Sequence, residues 1–266
     1  MRRLIPIILA LSGIIILLSS CVSPQPKKQS MDKSIKIALI KYEMARNIIA
    51  HKDYENLPKA FLYLKEAKQV LKNDPRVDYL LAIAYKLRKN DAMYEKYLKE
   101  TLKIDKNFYD AYNALGIFYF EKKQYKKALE MFTKLINNPL YPAADVAFFN
   151  RSRVYLKLNQ TQKAIDDLES AIVFSNYSNP VYFKNLIAIY IAKKDYINAL
   201  KTINLMEQHE GENCYTITTR AFCFIKLKQF GQAVKTLNKI KDVSSNCFKK
   251  KEALLEEIDN DTNINN

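Results

Sequence analysis

The strongest constraint on this 266-residue chain is a pattern of large and small residues that returns at a nearly fixed interval. In Asp110–Phe132, DAYNALGIFYFEKKQYKKALEMF, a glycine interrupts an otherwise strong helical pattern, where alanine would be better by about 1 kcal/mol. With Tyr109 as the first position, Leu115 is seventh, Gly116 eighth, Tyr119 eleventh, Ala128 twentieth and Phe132 twenty-fourth. The order returns from Pro75 (Leu81, Ala82, Tyr85, Leu98), Asp145 (Phe148, Ser152, Tyr155, Ala164, Leu168, Ala171), Pro180 (Phe183, Leu186, Tyr190, Ala199, Ile203) and Cys214 (Ile217, Ala221, Phe224, Ala233, Leu237). A degenerate first copy starts near Lys41, with Ala60, Leu64 and Ala67 in its second half and Pro58 as a first-turn residue. Successive starts are 34, 34, 36, 35 and 34 residues apart, and an interval held that closely signals a stacked array. Only four glycines and eight prolines occur, which suits helices with short connections and argues against a turn-rich β fold.

The unit closely resembles the tetratricopeptide repeat, in which a large–Leu–Gly–Tyr helix is followed by an Ala–Phe–Ala helix. The resemblance implies an all-α, right-handed superhelix (an α-solenoid) of about six helix hairpins plus a C-terminal capping helix. Positions eight and twenty are where the paired helices touch most closely, so Gly116 trades propensity for approach. The aromatic ladder Tyr85, Tyr119, Tyr155, Tyr190 and Phe224 reads as core packing. The expected organisation is a signal peptide over 1–20, a lipidated N-terminus with a flexible tether over 21–31, and the repeat domain over 32–258. Within the domain the repeats fall near 41–74, 75–108, 109–144, 145–179, 180–213 and 214–246, with the cap over 247–258 carrying an apolar stripe of Phe248, Ala253, Leu254 and Ile258. Residues 259–266 are expected to form a disordered tail.

The N-terminus has a basic start (Arg2, Arg3), an apolar run Leu4–Leu18 and then Ser19-Ser20-Cys21, the plan of a secretory signal. Leu18-Ser19-Ser20-Cys21 resembles a bacterial lipobox, which implies lipidation of Cys21 and a membrane anchor. A plain signal peptide, or an uncleaved helix near the minimum spanning length, is the alternative. Val22–Ser30, VSPQPKKQS, contains nothing to bury and reads as a tether. Val22, where enterobacterial lipoproteins retained at the inner membrane carry Asp, points to the outer membrane of a Gram-negative envelope, facing the periplasm.

No constellation for catalysis stands out. The chain lacks HExxH, paired CxxC, GxxxxGK[ST] and GxSxG, so no enzyme, cofactor or small-molecule substrate is expected. His51, placed at the eleventh position of the degenerate repeat, and His209 are isolated, and Asp166, Asp167 and Glu169 read as a solvated face. Cys214, Cys223 and Cys247 read as free, mostly buried thiols. Cys214 and Cys247 occupy near-equivalent positions one repeat apart, on the order of 10 Å by interhelical spacing, beyond disulfide reach without distortion; a disulfide is the alternative, because an exported chain meets an oxidising compartment. The net charge of +15 suits acidic protein segments or anionic headgroups; a nucleic-acid partner is not expected of an exported chain.

In tetratricopeptide arrays the first helices line the groove with their second, fifth, ninth and twelfth positions. This places Tyr79, Ile83, Ile117, Phe120, Phe149, Leu156, Val181, Ile191, Tyr215, Phe222 and Ile225 there, with Arg76, Asn113, Arg153 and Lys184 as polar members. Asn150 and Asn185 share the sixth position and could bond a bound peptide's backbone. An apolar strip trimmed with basic residues suits an amphipathic helix or an extended segment of a protein partner.

Leu140–Ile172 narrows the resemblance. Its Leu140-Tyr141-Pro142 loop followed by Phe148-x-Asn150 is similar to the fourth repeat of the type IV pilus biogenesis lipoproteins of the PilF/PilW family. That family also has a lipobox, a short tether and six repeats. The resemblance implies a pilotin, which binds secretin subunits and promotes their outer-membrane insertion and multimerisation. Arg151, Ser152 and Arg220 depart from the repeat's preferences. The alternative is a lipoprotein adaptor that recruits peptidoglycan enzymes or outer-membrane assembly components.

Overall fold

The computed structural model describes residues 27–243 and 245–263. The expected signal peptide, Cys21 and the tether up to residue 26 lie outside the described residues.

Each repeat contributes a helix hairpin. The hairpins are α1 (Lys27–Ala50) with α2 (Leu57–Val70), α3 (Pro75–Leu87) with α4 (Asp91–Ile104), and α5 (Tyr109–Glu121) with α6 (Tyr125–Ile136). They continue as α7 (Ala144–Lys157) with α8 (Thr161–Phe174), α9 (Pro180–Ala192) with α10 (Tyr196–Glu210), and α11 (Cys214–Lys226) with α12 (Phe230–Leu237). The helix α13 (Asn246–Asn263) closes the array against α11 and α12. All thirteen elements among the described residues are helices.

Local chemistry sets the helix starts. Pro75 and Pro180 occupy first turns, and the preceding Asp74 and Asn179 accept bonds from the amides of Arg76 and Val181. Asn213 and Thr216 form a reciprocal capping box at the head of α11. The helix ends repeat as strictly as the apolar pattern. Lys89, Lys123, Asn159, Lys194 and Lys228, all at the fifteenth position, adopt left-handed φ values of 56–60°. The next amide in each case bonds the carbonyl of the ladder aromatic: Asn90 to Tyr85, Gln124 to Tyr119, Gln160 to Tyr155, Asp195 to Tyr190 and Gln229 to Phe224, at 2.8–2.9 Å. This Schellman closure turns each hairpin without glycine.

The same closure corrects the first repeat. Lys52 is its left-handed residue (φ 52°), and the Asp53 amide bonds the carbonyl of Ile48. Ile48, not His51, therefore holds the eleventh position; His51 is exposed. In the later repeats the second helix starts two residues beyond the left-handed one, whereas α2 starts five beyond Lys52. These extra loop residues offset the two halves of the repeat.

Side chains interleave along the array. Ala60, Ala82, Ala128, Ala164, Ala199, Ala221 and Ala233 are fully buried, and Phe132, Leu168, Ile203 and Leu237 fill the space between hairpins. Gly116 lies against the Phe132 ring. The ladder tyrosines pack inward and reach carboxylates with their hydroxyls: Tyr119 donates to Glu95 (2.8 Å) and Tyr190 to Glu169 (3.2 Å).

Several expectations need correction. Asp167 is buried and paired: Arg151 binds it through Nε (2.8 Å) and Nη2 (2.7 Å), and also donates to Thr133 (3.1 Å). An arginine at a leucine position survives because a neighbouring helix supplies its counter-charge. Arg220 also pairs with a neighbouring helix's carboxylate, but through Nη2 to Glu207 Oε2 alone, leaving its Nε and Glu207 Oε1 buried without partners. Burial opposes the Arg151 charge, but the bonds to Asp167 outweigh it and hold the guanidinium above its ordinary range.

The terminal segments and cysteines also differ. Residues 27–31 belong to α1, since no proline follows Pro26 to delay the helix. Residues 259–263 belong to α13, whose Glu257 and Asp261 pair with Lys226 (2.7 Å) and Lys228 (3.1 Å). Cys214 and Cys247 form a disulfide with Cα atoms 5.7 Å apart, while Cys223 is free and buried. The ordinary interhelical spacing fails there because α12 has only 8 residues, so the chain returns early to the head of α11. Burial pushes the Cys223 thiol up to about 11, with the Arg220 charge opposing.

Candidate partner-binding face

The face is assembled from contacts that run from one first helix to the next. On α5 and α7, Asn150 donates to Asn113 (3.2 Å), and the Arg153 guanidinium lies 4.8 Å from the Phe120 ring and 5.9 Å from the Phe149 ring. Ile117, Phe120, Asn150 and Arg153, with Glu121 and Phe132, line a cavity of about 100 Å³. Phe149 then meets Tyr182 of α9 at 5.0 Å, and the Tyr182 hydroxyl donates to Asp145 (2.9 Å). Lys184 of α9 lies over Tyr215 of α11 at 5.2 Å. Ile191, Tyr215 and Phe222 finish the line in an apolar cavity of about 600 Å³, closed on its far side by Lys250, Ala253 and Leu254 of α13.

The chemistry is that of recognition. Rings with cations set over them supply polarizable apolar area with a positive rim. Arg153 and Lys184 are exposed, while Phe120, Phe149, Leu156, Tyr215 and Phe222 are half-buried. Burial, with Asp110's charge, pushes the Tyr79 phenol up to about 12; burial and the Asp145 bond do the same for Tyr182. Both hydroxyls are therefore neutral across physiological pH.

The sequence-derived positions separate on inspection. Tyr79 packs on Phe108 (5.0 Å), Ile83 is half-buried in the neighbouring core, and Val181 is exposed. Ile225 does not reach this face: it is fully buried beside Ile258 of α13. Asn150 is buried and spends its amide on Asn113, and Asn185 donates to the carbonyl of Val181 in its own helix (2.8 Å). Each amide thus commits one of its two N–H donors within the protein. The residues missed from sequence are those of α13. Its stripe was legible as a cap, but Ala253 and Leu254 serve as a wall of the apolar cavity as well.

Stacked hairpins of this kind, with contacts running along the first helices, define the all-α tetratricopeptide-repeat fold. Residues 97–130 and 146–172 match the tetratricopeptide-repeat family. Among solved structures, the fold is that of two pilus proteins. It is similar to PilF of Pseudomonas aeruginosa at 17% identity, covering 86% of this chain and 99% of that one with a TM-score of 0.57. It is likewise similar to PilW, described as a widely conserved type IV pilus biogenesis factor, at 16% identity, covering 82% of this chain and 98% of that one with a TM-score of 0.58. A curated relative, the BBSome complex member BBS4 homolog of Drosophila melanogaster, is 28% identical over 130 residues, 49% of this chain. That match spans only 26% of the relative's length.

Proposed function

We propose that this chain is a lipid-anchored periplasmic scaffold that binds a protein partner along the Phe120–Arg153–Phe149 line, acting as a pilotin-like factor in type IV pilus secretin assembly. The observation that carries this reading is a pair of contact groups along the first helices: Arg153 between the Phe120 and Phe149 rings on α5 and α7, and Lys184 of α9 over Tyr215 of α11. They form a strip of aromatic area with exposed positive groups at its edge. Such a strip suits an amphipathic partner segment that buries apolar anchors and brings carboxylates to Arg153 and Lys184. Likeness of fold to PilF and PilW across most of the chain supports the pilus assignment, as does the Leu140-Tyr141-Pro142 loop with Phe148-x-Asn150. Cys21 is the proposed lipid attachment point, on the outer membrane.

The test is photo-crosslinking in cells from positions 149 and 153, followed by identification of the captured protein. Secretin is expected among the products, and a deletion strain is expected to lose heat-stable secretin multimers. Phe149→Ala combined with Arg153→Glu should abolish both capture and multimers while leaving the circular dichroism of the purified protein unchanged. Full partner binding by that double variant would overturn the assignment of this face. Intact multimers in the deletion strain would overturn the pilotin role.

A further inference from the structure

The two ends of the array are finished differently. Terminal repeats of a solenoid normally turn a polar face outward. On α13 this holds: Lys249, Lys250, Glu252, Glu256 and Asp259 are exposed. On α1 it does not. Ile37, Ile40 and Met44 are 44%, 60% and 45% exposed. Their spacing of three and four residues aligns them in one stripe. The opposite stripe, Ala38, Ala45 and Ile49, is the one that packs inward. Lys33 continues the exposed stripe one turn earlier and Lys36 flanks it, while Lys41 on the other side is paired with Glu66 (2.8 Å). Over its length α1 carries six basic residues and two acidic ones.

We propose that the Ile37–Ile40–Met44 stripe of α1 lies in the headgroup region of an anionic bilayer, with Lys33 and Lys36 on lipid phosphates. The inference rests on the membrane anchoring proposed above. Three observations select a bilayer as the occupant. The stripe is apolar with Lys33 and Lys36 at its N-terminal end, and the acidic residue beside it, Glu43, is paired with Arg46 (3.1 Å), the pattern of a mainly basic helix lying in a membrane interface. Its charge complements anionic headgroups, and lysine stems can extend along apolar surface while their ammonium groups stay with phosphate. Chain length also confines it: Lys27 lies six positions beyond Cys21, so an anchor at Cys21 keeps the start of α1 within about 20 Å of the surface. Among the described residues no helix is long and apolar enough to cross a membrane, so the contact is tangential. Docked in this way, α1 would fix the orientation of the array, and with it the direction the partner-binding face presents.

The chain contains no tryptophan, so one introduced indole reports its own surroundings. Full-length Ile40→Trp protein is reconstituted into phosphatidylethanolamine–phosphatidylglycerol vesicles with brominated acyl chains, beside Ile197→Trp, an exposed position on α10 (51%). Quenching of about twofold or more with a blue-shifted emission is expected at position 40 and none at position 197, since an interfacial stripe sits at the headgroup–acyl boundary. Adding Ile37→Lys and Met44→Lys, both on exposed positions, should remove the quenching while the protein still floats with the vesicles. An unquenched indole at position 40 in protein that floats would overturn the docking surface and leave the anchoring intact. Protein that does not float would overturn both. A blue shift without lipid that grows with protein concentration would show a second copy on the stripe and overturn the bilayer.

Discussion

A Cβ placed on Gly116 would come within 2.5 Å of Cε1 of Phe132 and 2.7 Å of Cζ. Phe132 is almost fully buried, so its ring has little room to retreat. The glycine is the space that the aromatic of the paired helix occupies. Gly116→Ala should therefore destabilise the protein by about 1–3 kcal/mol through overpacking, despite its better helix propensity. Urea unfolding checks this, and Phe132→Leu in the same chain should recover part of the loss.

Arg151 and Asp167 behave as one unit. Arg151→Leu restores the residue common at that position but strands a buried carboxylate, and should cost about 3 kcal/mol. Arg151→Leu with Asp167→Leu should recover most of that loss, because apolar residues can replace a buried pair with little penalty. A double-mutant cycle by denaturant unfolding measures the coupling.

The six left-handed residues that close the hairpins, Lys52 included, have side chains where the conformation favours glycine. Lys89→Gly and Lys194→Gly should each stabilise the protein by about 0.5–1 kcal/mol: relief of left-handed strain outweighs the added freedom of the unfolded chain. Glycine at Lys126, a helical residue on α6, should destabilise instead. Thermal unfolding separates the two.

The Cys214–Cys247 bond closes a loop across a sequence separation of 33. Cys214→Ser should cost about 3–4 kcal/mol on the loop-entropy account. It should also loosen α13 first, seen as faster amide exchange over 246–263 than in α5 or α7. Equal exchange in all three helices would show that Ile258 and the ion pairs to Lys226 and Lys228 hold the cap alone.

Tyr79, Tyr182 and Tyr190 are each raised by burial to about 12 from an ordinary 10.0. The fold favours their neutral forms. Their contribution is complete below pH 10 and is lost as pH rises toward 12, because the unfolded chain releases protons that the folded chain keeps. Urea midpoints should fall steeply between pH 10 and 12, in step with tyrosinate absorbance. Tyr182→Phe should flatten that fall.

The repeated hairpins, their helix starts, the place of Gly116 and the inward aromatic ladder were fixed by periodicity alone. Each depends on residues within one hairpin, where helix geometry converts spacing directly into facing. What needed the tertiary structure were features set by offsets between helices. A loop after Lys52 shifts the first repeat and moves Ile48 into the slot that counting gave to His51. A short α12 brings Cys247 to Cys214 and buries Ile225 under α13. Asp167 reads as solvated until α7 is laid beside it with Arg151 inward. Asn150 reads as a groove residue until it is seen buried against Asn113. Spacing along the chain determines which side of a helix a residue occupies, but a few ångströms of slide between helices decide what stands opposite, and no periodicity in the sequence encodes that slide.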